Sequence, residues 1–122
     1  MSKPPTELLN GRCHLVVEDE YLLADDLKWE LSQRGTEVVG PAGSVKEALD
    51  LLADPRRLDG AVLDINLRGE FVYPVADELY RRNVPFVFAT GYDAWIIPDR
   101  YASAPRVKKP VHVEELMRTL LS

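Results

Sequence analysis

Gly60-Ala61-Val62-Leu63-Asp64-Ile65-Asn66-Leu67 runs three apolar residues straight into an aspartate, and turn-forming Arg68-Gly69 follows. A short unbroken apolar run bounded by turn signals reads as a strand buried on both faces, as in parallel sheets. Asp64 then falls where that strand leaves the sheet. Ligands of open α/β sheets bind outside the carboxyl ends of the strands, so a carboxylate there is placed for chemistry. An aspartate in this position also serves as a turn residue or helix cap, and the rest of the chain decides between the two.

Working outward, Leu15-Val16-Val17 is a first strand ending in Glu18-Asp19-Glu20. A helix over 21–34 follows, with Leu23, Leu27 and Leu31 on one face and Asp25, Asp26, Lys28 and Glu30 away from it. Gly35 suits the residue just past its end. Glu37-Val38-Val39-Gly40 is a second strand closed by Pro41. Ser44-Val45-Lys46-Glu47 has the form of a capping box, opening a helix whose apolar face is Val45, Ala48, Leu49 and Leu52. Beyond the central strand, Pro74 suits a first helical position, with Val75, Ala76, Leu79 and Tyr80 forming an apolar face.

Phe86-Val87-Phe88-Ala89 is a fourth strand ending in Thr90-Gly91. The stretch 92–105 is the least regular, and Pro98 and Pro105 limit any helix there to a short or distorted one. Arg106-Val107-Lys108 is a fifth strand ending in Lys109-Pro110. A last helix buries Val113, Leu116, Met117 and Leu120. Five strands alternating with helices imply a parallel sheet covered on both faces. Residues 1–10 read as an N-terminal tail and 11–122 as one domain, with no output domain expected.

The 122 residues suffice for a core without disulfides or metal staples. A net charge of −5 argues against nucleic acid, which needs a basic face. The basic pairs Arg56-Arg57, Arg81-Arg82 and Lys108-Lys109 are scattered. A single cysteine, Cys13, excludes an internal disulfide framework and fits a reducing compartment. No run approaches the ~18 apolar residues of a membrane span, and no secretory signal pattern follows Met1. The expected location is cytoplasmic, with no membrane or nucleic-acid partner.

Parallel strands bring four polar endings to one sheet edge: Glu18-Asp19, Asp64, Thr90 and Lys109. Clustered carboxylates repel one another and call for a hard divalent cation, and oxygen-only ligands favour Mg²⁺. A hydroxyl and an ammonium facing such a metal would complete a cradle for phosphoryl oxygens. Asp64, between the acid pair and the lysine, is the carboxylate best placed as a nucleophile.

On these residues the chain resembles the receiver domains of two-component response regulators over essentially its whole length. The resemblance implies a flavodoxin-like doubly wound sheet of order 2-1-3-4-5 with helices on both faces. It also implies Asp64 as phosphoacceptor, Glu18, Asp19 and Asp64 as Mg²⁺ ligands, and a main-chain carbonyl of Asn66 as a further ligand. Thr90 would sense the phosphoryl group and Lys109 would pair with it, commonly followed by a cis peptide to Pro110.

Pro85-Phe86-Val87-Phe88-Ala89-Thr90-Gly91-Tyr92 matches the PFxFATGY signature of the FAT GUY single-domain regulators without a gap. That resemblance implies a stand-alone receiver served by a sensor histidine kinase. It would signal through an unknown downstream protein, as a monomer or a phosphorylation-dependent dimer. Such a domain is not a classical enzyme, although it catalyses its own phosphotransfer and dephosphorylation.

Two departures stand out. Asn66-Leu67-Arg68-Gly69-Glu70 replaces the Met-Pro common after the phosphoacceptor, and Arg106 stands where many receivers carry a switch aromatic. The expected moving element is therefore Thr90, Gly91 and Tyr92, with Arg106 presenting charge to a partner. Alternatives are a phosphate sink for a shared kinase, an aspartyl-phosphate hydrolase and a flavin module. The hydrolase would want an acid where Asn66 stands. The flavin module would want a neutral phosphate loop where Glu18-Asp19-Glu20 stands.

Overall fold

Five strands form one sheet: β1 (Cys13–Val17), β2 (Glu37–Ala42), β3 (Gly60–Asp64), β4 (Phe86–Thr90) and β5 (Arg106–Lys108). Every pairing is parallel, as the alternation of elements implies, and the order is β2-β1-β3-β4-β5, the flavodoxin-like arrangement implied by the receiver resemblance. The computed structural model describes residues 11–91 and 97–121.

The helices are α1 (Tyr21–Gln33), α2 (Val45–Leu52), α3 (Tyr73–Arg81) and α4 (Val113–Leu121). Strand alternation divides the core in two. Leu15, Val17, Leu63, Phe86 and Phe88 face the side covered by α2 and α3. Val16, Val62, Val87, Ala89 and Val107 face α1 and α4, against Leu27, Leu31, Val113, Leu116 and Met117. The three inner strands β1, β3 and β4 are thus buried on both faces, which is why β3 and β4 read as unbroken apolar runs.

Helix ends follow local chemistry. After α1, Gly35 has φ +81°, with Thr36 N–H donating to Leu31 O and Gly35 N–H to Ser32 O. These two bonds make a Schellman motif. At α2, Ser44 Oγ accepts from Glu47 N–H at 3.1 Å, one half of the expected capping box. A second first-turn donor, Val45 N–H, is served from outside the helix by Glu70 Oε1 at 3.2 Å.

Several expectations are corrected. Pro41 does not close β2; after a cis Gly40-Pro41 bond the strand continues to Ala42, which pairs with Val17. Gly40 has φ +98°, and a Cβ there would lie 2.8 Å from Val16 O, so the position admits only glycine without rearrangement. In α1 the buried set is Ala24, Leu27 and Leu31, with Leu23 only half-buried. Leu49 and Tyr80 turn outward, Tyr80 being 73% exposed, because Tyr73 at the start of α3 supplies the aromatic to that side of the core.

One element went unforeseen. Asn66–Leu67 and Glu70–Phe71 pair antiparallel as a minimal hairpin. Its two-residue loop, Arg68 (φ +55°) and Gly69 (φ +90°), has the both-positive geometry of a type I′ turn. Downstream, Asp99–Tyr101 is a 3₁₀ turn between Pro98 and Pro105, the short element expected of that stretch. Tyr92, the expected moving aromatic, lies outside the described residues.

Candidate functional site

Register and alternation build the site. Val17 pairs with Leu63, so the next residues, Glu18 and Asp64, leave adjacent strands side by side. Val16, Val62 and Val107 share one sheet face, and two residues on from each come Glu18, Asp64 and Lys109. The same period of two directs all three side chains to that face beyond the strand ends. Lys108, one residue earlier, is exposed.

The result is a tight charge cluster. Lys109 Nζ lies 3.0 Å from Asp64 Oδ2, 3.0 Å from Glu18 Oε1 and 3.7 Å from Glu20 Oε1. Asp64 is 6% exposed and Glu18 9%. Glu18 Oε2 also accepts from Glu20 N–H at 3.0 Å. The bond joining Lys109 to Pro110 is cis.

Burial pushes the Asp64 carboxyl up to about 7, helped by a hydrogen bond and charge repulsion from Glu18, with Lys109 only partly offsetting them. Burial works against the Lys109 charge, yet its bonds to Asp64 and Glu18 hold that pKa above the ordinary lysine value. Three carboxylates, those of Glu18, Glu20 and Asp64, thus share the single Lys109 ammonium.

Asp19 supplies a further carboxylate. One ligand oxygen from each of Glu18, Asp19 and Asp64 lies within 4.8 Å of the others. An all-oxygen, acidic and partly open donor set fits Mg²⁺, which keeps water in its remaining positions. A cleft of about 330 Å³ opens beside the acid pair, with Tyr21, Gly43 and Arg68 in its wall.

The remaining expected residues are distributed as follows. Thr90 is buried on the adjoining strand, and its hydroxyl donates to Val107 O at a long 3.4 Å. Asn66 Oδ1 accepts from Gly69 N–H at 2.6 Å and so braces the hairpin. Gly91 is exposed. Arg106 is exposed, and its guanidinium is oriented by two carbonyls: Nη2 donates to Ala102 O at 2.8 Å and Nε to Ala104 O at 3.4 Å.

Two features escaped the sequence reading. Arg68 Nε lies 3.7 Å from Asp19 Oδ2, bringing a second cation to the cluster. On the opposite sheet face, Tyr101 is buried against Phe86, Phe88 and Tyr73. Its hydroxyl donates a short bond to Asp77, which Arg100 also holds at 3.2 Å. The Arg100 guanidinium lies 5.0 Å from the Tyr101 ring centre. No periodicity marks either feature, because both join a loop to a distant element.

No protein-family model matches the chain. It is 34% identical over 110 residues to the sensory transduction protein LytT of Bacillus cereus, covering 87% of this chain and 44% of LytT. The chain thus spans less than half of that relative. Among solved structures it is similar to SdrG from Sphingomonas melonis Fr1, with 37% identity and a TM-score of 0.78, covering 91% of this chain and 97% of that one. It is likewise similar to the BeF3-activated conformation of SdrG from Pseudomonas melonis Fr1, with 37% identity, a TM-score of 0.75 and coverage of 90% and 96%. The non-phosphorylated HemR receiver domain from Leptospira biflexa shares 28% identity at a TM-score of 0.71, covering 90% and 91%.

With this fold and these relatives, the chain belongs to the receiver domains of two-component response regulators. Receivers of this kind are signalling regulators rather than classical enzymes.

Proposed function

We propose that this chain is a Mg²⁺-dependent phosphoryl-accepting switch of the FAT GUY subgroup, with Asp64 as phosphoacceptor and a sensor histidine kinase as donor. The observation that carries the reading is Lys109 Nζ at 3.0 Å from both Asp64 and Glu18, beside a third carboxylate at the strand ends. A lone aspartate cap would need none of this company.

The chemistry follows from the geometry. An Asp64 carboxylate oxygen attacks the phosphorus of a phosphohistidine. The P–O bond forms as the P–N bond breaks, and the electron pair leaves with the imidazole nitrogen. Glu18, Asp19 and Asp64, with the Asn66 main-chain carbonyl, would hold Mg²⁺. The bound ion neutralises phosphoryl charge and aligns its oxygens. Lys109 is placed to pair with the transferred group, exchanging a carboxylate partner for a phosphoryl oxygen.

Thr90 is the residue that moves. Its bond to Val107 O is long and easily surrendered, and a phosphoryl group on Asp64 offers a stronger, charged acceptor. The hydroxyl then turns toward Asp64 and carries Gly91 and Tyr92 with it. The output is protein–protein contact with a downstream partner, by the monomer or by a phosphorylation-dependent dimer. Phosphotransfer from a panel of sensor kinases, followed by loss of label on Asp64→Asn, tests the assignment. Labelling of that variant at the normal rate contradicts it.

A further inference from the structure

We propose that Arg68 is a resident counter-cation of the acid pair, a positioning residue that a divalent cation must displace from Asp19. The proposal rests on the reading of Glu18, Asp19 and Asp64 as a metal site, and extends it to a residue outside that set.

The cluster's cations divide its carboxylates between them. Lys109 pairs with Glu18 and Asp64. Among the described residues, Asp19 makes its ion pair with Arg68, Nε to Oδ2 at 3.7 Å. At that distance the contact is a charge pairing rather than a hydrogen bond. The Arg68 side chain is 81% exposed and that of Asp19 13%, so the arginine reaches down from solvent onto a carboxylate that is largely enclosed.

The hairpin holds Arg68 in place for this reach. Leu67 is buried beneath it, Asn66 Oδ1 binds Gly69 N–H, and Glu70 Oε1 accepts from Val45 N–H at the start of α2. The backbone carrying Arg68 is thus tied on both sides of the turn, and the freedom left to it is rotation of the side chain. An arm on a fixed post, paired by charge alone, yields to a competing divalent cation without disturbing the fold. Arg68 stands in the loop where the common receiver pattern has Met-Pro, which offers no such charge.

The arginine end of the pair is exposed and the contact is long at 3.7 Å, so displacing it should cost the metal only about two- to five-fold in affinity at low salt. The cost should shrink as salt screens the pairing. A Mg²⁺ titration followed by NMR on the full chain tests this in wild type, Arg68→Gln and Arg68→Lys. In wild type, the Arg68 Nε–Hε signal should move toward the value of a free guanidinium over the Mg²⁺ range that shifts the Asp19 amide. Arg68→Gln should bind Mg²⁺ about two- to five-fold more tightly, and Arg68→Lys should stay near wild type. Unchanged or weaker binding by Arg68→Gln, or an Nε–Hε signal that stays put to saturation, overturns the proposal while leaving the metal site standing. A wild-type chain that binds no Mg²⁺ overturns both.

Discussion

Lys109 Nζ sits 3.0 Å from Asp64 Oδ2 although the two residues leave non-adjacent strands, β5 and β3, with β4 between them. The ammonium therefore spans the width of β4 above Ala89, and its reach, not strand adjacency, closes the site.

That relationship separates two neighbouring lysines. Lys109→Ala should remove the phosphorylation-dependent changes in amide shifts while leaving Mg²⁺ binding largely intact. It should also destabilise the protein by about 1–3 kcal/mol by stranding buried carboxylates. Lys108→Ala, on the exposed side of β5, should stay within about 0.5 kcal/mol of wild type. Urea melts and NMR spectra of the two variants check this, and a larger effect from Lys108 would mean the strand register is wrong.

Asp64 makes the metal-free protein less stable toward alkali. Its native carboxyl, near 7, lies above the ordinary 3.8, so the folded state binds a proton more readily than the unfolded chain. This contribution is fully present below about pH 4 and is lost as pH rises through about 7. In EDTA, stability should therefore fall by roughly 2–4 kcal/mol across that window. Asp64→Asn should flatten the slope and be the more stable chain at pH 8. Denaturant melts at pH 5 and pH 8 supply the comparison, and parallel slopes for the two proteins would contradict it.

The Tyr101 clasp should contribute to stability without contributing to phosphotransfer. Tyr101→Phe keeps the ring between Phe86 and Phe88 and loses the bond to Asp77, at a cost of about 1–2 kcal/mol. Tyr101→Ala also empties the aromatic cluster and should cost about 3–5 kcal/mol. Labelling of Asp64 by a small phosphodonor should proceed at the wild-type rate in Tyr101→Phe. A rate loss greater than its loss of stability explains would place Tyr101 in the switch.

The sheet and most of the site were legible because they obey short-range rules. Unbroken apolar runs gave away β3 and β4, and parallel connection then obliged Glu18, Asp64, Thr90 and Lys109 to share an edge. What stayed hidden depends on pairings between distant segments. Tyr80 fits the helical period of α3, yet Tyr73 claims the aromatic place and leaves Tyr80 in solvent. The hold on Arg106 was equally hidden, because the carbonyls of Ala102 and Ala104 that orient its guanidinium follow no helical or strand period. Pro41 looked like a strand stop, and the strand passes it because Ala42 still pairs with Val17.

Helix α1 exposes Leu22 and Trp29, 79% and 64%, on one helical face, and a kinase docking on α1 would bury them. Trp29→Ala should slow phosphotransfer from a cognate kinase about tenfold, the loss of one aromatic anchor at an interface. Labelling by a small phosphodonor should be unaffected, since Trp29 lies outside the charge cluster. Equal losses with both donors would show a folding defect instead of a docking role.

The central claim is that Asp64 accepts a phosphoryl group in a Mg²⁺-dependent reaction, and intact-mass spectrometry with fragment mapping tests it most directly. Wild type incubated with acetyl phosphate and Mg²⁺ should gain the mass of one phosphoryl group, located on Asp64 and labile to alkali. The gain should vanish with EDTA and in Asp64→Asn. A phosphoryl group on another residue, or labelling that persists without divalent cation, would contradict the account.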